Sequence, residues 1–184
     1  MHDVHSDSLG LKTHYENTAA VEFISEYMLE FLKNEMLVVC IGTDKCIGDC
    51  LAPLVGSILV KQGFPFKVIG TLDNPVHAIN IETVIKKITS EYPDHFIVAI
   101  DACIGFEDCI GDIQIKHCPI FPGKGVGKNL PHIGDISIVG VVDSFDNSDL
   151  FSIRNIRLNF IMRMAETIAD SLILASKRYL ENQA

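Results

Sequence analysis

The chain has 184 residues, 48% of them hydrophobic, with a formal net charge of −9 and a sequence pI of about 5.1. That length can bury one substantial core, and the acidity excludes general binding to nucleic acid or to anionic membranes. No apolar run approaches the roughly 18 residues that a bilayer span requires, and the opening MHDVHSDSLG lacks the basic start and apolar core of a secretory signal.

Six cysteines in such a chain are expected as free thiols in a reducing cytoplasm, not as a disulfide framework. Residues 1–17 are polar and hold His2, His5 and His14, which reads as a disordered or loosely ordered tail. From Thr18 to Asn34, Val21, Ile24, Met28, Phe31 and Leu32 recur at helical steps between Glu22, Glu26 and Glu30. Met36–Ile41 is a near-continuous apolar run, the pattern of a strand covered on both faces.

Leu51–Lys61 reads as the next helix, closed by Gly63, and Lys67–Gly70 as a second strand. TLDNPVHAIN is a loop with a turn signal at Asn74-Pro75. Ile81–Ser90 is helical and is stopped by Tyr92-Pro93. Phe96–Ile100, Ile113–Lys116 and Ile136–Val142 supply three further strands, with PGKGVGKN as a surface loop between the last two. From about Ser148 onward Leu158, Ile161, Met162, Ala165, Ile168, Leu172 and Leu180 mark one helical face. Alternating strands and helices predict a single α/β domain over residues 18–184, a three-layer α/β/α sandwich around a mostly parallel sheet.

In such sheets ligands sit beyond the carboxyl ends of the strands. The first strand is followed by Asp44, Cys46, Asp49 and Cys50, the third by Asp101, Cys103, Glu107, Asp108 and Cys109, and the fifth by Asp143. Two carboxylates held close cannot both ionise cheaply, so one serves as acid and the other as base. With a histidine, the same pair makes a site for a borderline metal ion. Asp49 has a second reading as the N-cap of the helix LAPLVGS, with Pro53 in its first turn. Asp101 ends the apolar run FIVAI, where a carboxylate needs either a hydrogen-bonding loop or a role.

The cysteine pairs 46/50 and 103/109 lack the compact spacing of structural zinc, and Cys40 reads as a small buried hydrophobe. GKGVGK does not meet GxGxxG, and it fails GxxxxGK[ST] because Pro122 and Asn129 occupy positions that need Gly and Ser or Thr. His132, in LPHIGD, is either a ligand and proton carrier or an ordinary surface residue.

CIGTDKCIGDCLAPLVG, GTLDNPVHAIN, IVAIDACIG and PGKGVGKNLPHIGDISIVGVVD, in this order, resemble the YyaC-type sporulation proteins. The resemblance spans about residues 20–180. This chain departs from it in having DCLAP where DSLGP-like forms are usual and in carrying His132. That group is similar in turn to the germination protease and to the HybD-type hydrogenase maturation endopeptidases, which share an α/β/α, phosphorylase/hydrolase-like fold. The resemblance implies a catalytic aspartate pair at Asp49 and Asp101. Asp44, Gly123 and Gly125 would contact substrate, the glycines in a loop over residues 122–128 that closes on an extended peptide. Asp49, Asp101 and His132, or His77 in its place, would be the ligands if nickel or zinc is bound; the main reading requires no cofactor. The implied function is cleavage of a peptide or protein, such as a spore protein, in the cytoplasm of mother cell or forespore. The alternative is a spore protein that keeps the fold as a binding or metal-binding module. No nucleic-acid or membrane partner is expected.

Overall fold

A computed structural model describes residues 5–7, 10–122, 131–145 and 156–183. The strands are β1 His5–Asp7, β2 Gly10–His14, β3 Met36–Cys40, β4 Lys67–Ile69, β5 Phe96–Gly105, β6 Asp112–Lys116 and β7 Ile136–Ser144. The helices are α1 Ala20–Leu29, α2 Leu51–Lys61, α3 Ile81–Glu91 and α4 Leu158–Glu181. The strands form one seven-stranded sheet in the order β1-β2-β6-β7-β5-β3-β4. Strands β4, β3, β5 and β7 are mutually parallel. The sheet then continues antiparallel through β6, β2 and β1.

Strand β3 is buried at every residue, because its alternate side chains face two different cores. Val38 and Cys40 join Val98 and Ile100 of β5 beneath α1, α2 and α4. Leu37 and Val39 join Ala99, Ile81 and Ile88 on the opposite face, under α3. Each fully buried Ile, Leu or Met contributes about 1.5–3 kcal/mol, so Ile24, Met28, Ile168 and Leu172 hold α1 and α4 firmly to the first face. Helix α2 lies unusually close to the sheet. A Cβ on Gly56 would strike the Gly70 carbonyl, and one on Gly70 would strike the Cys40 carbonyl. Burial pushes the Cys40 thiol far above its ordinary range, in keeping with a small apolar filler.

The expectation of a disordered tail over residues 1–17 is corrected for the part described. Strand β2 pairs with β6 from Gly10↔Lys116 to His14↔Asp112. Leu11 and Thr13 point inward at 6% and 5% exposure, with Lys12 between them, and Lys12 forms a 2.6 Å ion pair with Asp112. The period-two signal is only five residues long and contains a single large apolar side chain, so the polar composition concealed it. Helix α1 stops at Leu29, short of Asn34, and Leu32 is buried from the following turn. Helix α4 begins at Leu158 after an extended Arg157; the expected start near Ser148 lies outside the described residues. Strand β5 runs to Gly105, five residues beyond its expected end, because β7 continues to pair with it past a bulge at Cys103/Ile104.

The connection from β3 through α2 leads to β4 on one side, and that from β4 through α3 returns past β3 to β5. Because α2 and α3 cover opposite faces, the sheet's switch point falls between β3 and β5. Among the described residues, no helix is long and apolar enough to cross a membrane.

Candidate active site at the switch point

Three backbone contacts shape the turn that leaves β3. The Ile41 N–H donates to the Ile100 carbonyl at 2.8 Å, the Gly42 N–H to Val76 at 2.7 Å, and the Thr43 N–H to Asp49 at 3.1 Å. The last of these closes the loop on itself and delivers Asp49 beside the sheet. Only glycine suits position 42, because φ is +151° and a Cβ there would strike the Asp49 carbonyl.

Asp49 lies in a single 3₁₀ turn, Gly48–Cys50, that leads into α2. The N-cap position of α2 is held by Cys50, and neither helix start receives a side-chain capping bond. The capping reading of Asp49 is therefore not realised. Pro53 does occupy the first turn of α2, where its missing N–H costs little. Asp49 is open to solvent on one side, while partial burial raises its carboxyl above the usual range.

Asp101 stands one residue past Ile100, the last residue of β5 that pairs with β3. Its Oδ1 accepts the Ala102 N–H at 2.8 Å. Burial pushes its pKa up to about 7; the Ala102 hydrogen bond opposes this, and the nearby charge of Asp49 adds to it. The charge of Asp49 thus acts on Asp101, which burial holds protonated close to neutral pH.

Cys103 shares a strand face with Asp101, two residues on, and its thiol is pushed up to about 11 by burial and by the Asp101 charge. Period two along β5 is the sequence signal that places it there, whereas metal spacing says nothing of it. Cys50 is raised by burial and by the charges of Asp44, Cys46 and Asp49; Asp44 itself is exposed. Asp143, at the end of β7, is buried, and its Oδ1 accepts the Ser144 N–H at 2.8 Å. All six cysteines are free.

The histidines divide. His132 is exposed and lies against the Phe121 ring, 5.7 Å between centroids. Three residues later, Asp135 exchanges two hydrogen bonds with Ile97, its N–H donating to the Ile97 carbonyl and its Oδ2 accepting the Ile97 N–H. This stretch therefore belongs to the amino end of the parallel strands. Asp101 lies four residues farther along β5, about 13 Å at strand rise. The expected metal set of Asp49, Asp101 and His132 is corrected accordingly: His132 is at the opposite end of the sheet. His77 follows Val76, which bridges to Ile41 at the same end as the aspartates. Its Nδ1 accepts the Ile79 N–H, and its own N–H donates to Asn80. Among the described residues no three His, Cys, Asp or Glu side chains converge on a metal position. Gly123 and Gly125 lie outside the described residues.

No solved structure matches the chain. A Bacillus subtilis (strain 168) relative, "Uncharacterized protein YyaC", is 42% identical over 143 residues, covering 77% of this chain and 70% of that protein. Residues 12–171 match a family described as "Protein of unknown function (DUF1256)", and the chain belongs to that family.

Proposed function

We propose that this protein is a peptidase of the germination-protease and HybD-type kind, in which Asp49 and Asp101 hydrolyse a peptide bond. The observation that carries this reading is the pair itself. Asp49 is released from helix capping, and Asp101 is held protonated up to about pH 7 beside it. Like charges at one site keep a single proton between them.

In this mechanism the more exposed Asp49 carboxylate takes a proton from water as the water oxygen attacks the substrate carbonyl carbon. Asp101 gives its proton to the amide nitrogen as the carbon–nitrogen bond breaks. The proton on Asp49 then returns to Asp101, restoring the pair. Exposed Asp44 contacts the substrate backbone. The substrate follows from the sporulation-protein resemblance: a spore protein, cleaved in the cytoplasm of mother cell or forespore.

The test is incubation of the pure protein with an extract of sporulating cells, with new peptide termini mapped by mass spectrometry. Termini produced by the wild type and absent with folded Asp101→Asn would establish the activity and name the substrate. Equal termini in both samples would overturn it.

A further inference from the structure

Strand β5 outruns β3. Their register ends at Cys40↔Ile100, whereas β5 remains paired with β7 as far as Gly105↔Ser144. In a parallel ladder a residue's N–H and carbonyl point to the same side, and successive residues alternate. The Ile100 carbonyl receives the Ile41 N–H, so even-numbered residues of β5 face the β3 side. The Gly105 carbonyl receives the Phe145 N–H, so odd-numbered residues face β7. Beyond β3, Ala102 and Ile104 therefore turn their backbone groups to an edge where no further strand pairs among the described residues. The Ala102 N–H is taken by Asp101 Oδ1. The Ala102 carbonyl and both polar groups of Ile104 receive no backbone partner among the described residues.

This edge starts at the catalytic pair and ends among exposed apolar side chains. Phe106 and Phe145 are 69% and 63% exposed, with rings edge-on at 6.4 Å, and Ile104, two residues before Phe106, is 44% exposed. Large apolar groups clustered in solvent mark a binding surface more often than chance. Asp44, Glu107 and Asp108 are exposed in the flanking loops; with Lys45 the one exposed cation among them, these loops keep a net negative charge.

We propose that the edge of β5 from Ala102 to Ile104 receives an extended segment of the substrate as an added strand, leading the chain to Asp101. The occupant is an unfolded peptide in which apolar residues alternate with basic ones. The apolar side chains settle on Ile104, Phe106 and Phe145, and the basic ones answer Asp44, Glu107 and Asp108. Strand addition draws affinity from main-chain hydrogen bonds and specificity from alternate side chains. The proposal rests on the peptidase reading for its orientation toward the aspartates, but binding alone can test it.

The probe is a fluorescein-labelled decapeptide of alternating lysine and valine or phenylalanine, measured by anisotropy on Asp101→Asn so that cleavage does not interfere. Its companions are the same peptide with glutamate for lysine and one N-methylated at alternate amides. Both companions are expected to bind at least about tenfold more weakly, and the Ile104 amide is expected to exchange more slowly in the saturated complex. Ile104→Pro removes the edge donor without breaking a ladder bond, and should weaken binding similarly. The double change Phe106→Ser, Phe145→Ser, confined to exposed side chains, gives the same reading should the proline variant misfold. No binding of the lysine peptide, equal binding of the N-methylated peptide, or an unchanged Ile104 amide would overturn the proposal. Binding with these signatures but no cleavage by the wild type would uphold the edge and sink the peptidase; cleavage lost in Asp101→Asn without peptide binding would do the reverse.

Discussion

The negative charge of Asp49 helps to hold a proton on Asp101, whose burial in β5 has already raised its pKa from the ordinary 3.8 to about 7. A carboxyl whose folded pKa is raised stabilises the fold fully below its unfolded pKa, and that contribution is lost as pH rises through the folded value. The window here is about pH 4 to 7, and the upper limit is on the order of 4 kcal/mol. Asp101→Asn cannot ionise and escapes this loss. Urea unfolding at about pH 4.5 and about pH 8 should show the variant gaining on the wild type by a few kcal/mol at the higher pH. An unchanged difference would mean that Asp101 ionises freely. In the proposed mechanism the same proton is the acid in cleavage, so kcat should fall as pH rises through about 7.

Asp49 separates function from folding. Loss of an N-cap aspartate costs typically about 1 kcal/mol, but Asp49 makes no capping bond. Asp49→Ala should therefore unfold within about 0.5 kcal/mol of the wild type and yet release no new peptide termini from the sporulating-cell extract. A loss of a full kcal/mol or more would restore the capping role.

His132 belongs to the far end of the sheet, tied there through Asp135 and Ile97. His132→Ala should leave both the rate of cleavage and its pH profile unchanged. A large loss of rate would show that the chain brings His132 to the aspartates by a route the strand register does not offer.

Much of this arrangement was legible in the chain because each strand is a short apolar run with chemistry at its end. MLVVC followed by Asp44 and Asp49, and FIVAI followed by Asp101, mark carboxylates at the carboxyl ends of two apolar strands. Three features escaped for separate physical reasons. The strand at Gly10–His14 buries only Leu11 and Thr13, too little contrast for a pattern. The length of β5 past Asp101 is set by its partner β7, which local sequence does not encode. The distance of His132 from the pair depends on which end of a strand a loop feeds, and residue spacing is silent on that. The nature of the Asp49 turn, a 3₁₀ segment with Cys50 at the cap position, follows from closure onto Gly42.

The strand at Gly10–His14 makes a direct stability test. Leu11 is 6% exposed in the first core, and Ile113 and Ile115 of the neighbouring β6 are fully buried there. Leu11→Ala should cost about 2–5 kcal/mol, the range for emptying a core position. Thermal or urea unfolding decides it; a cost below about 0.5 kcal/mol, the scale of a surface substitution, would return residues 10–14 to the tail.

Gly42→Ala tests whether the loop places Asp49. The added Cβ would strike the Asp49 carbonyl and come within 3.0 Å of Pro53 Cδ, and φ of +151° strains any side chain. Pro53 is buried in the first turn of α2, so the turn carrying Asp49 is the part able to move. The backbone conflict should cost about 1–3 kcal/mol, leaving a folded protein at room temperature. A shift of about 1 Å in a reacting group can lower the rate on the order of a hundredfold, so kcat should fall far more than KM changes. Asp101 lies on a strand that this loop does not strain, so its pH-dependent stability should survive in part while cleavage is lost. A Gly42→Ala protein with wild-type kcat would mean that Asp49 is placed by something other than this closure, and would weaken its assignment as the base.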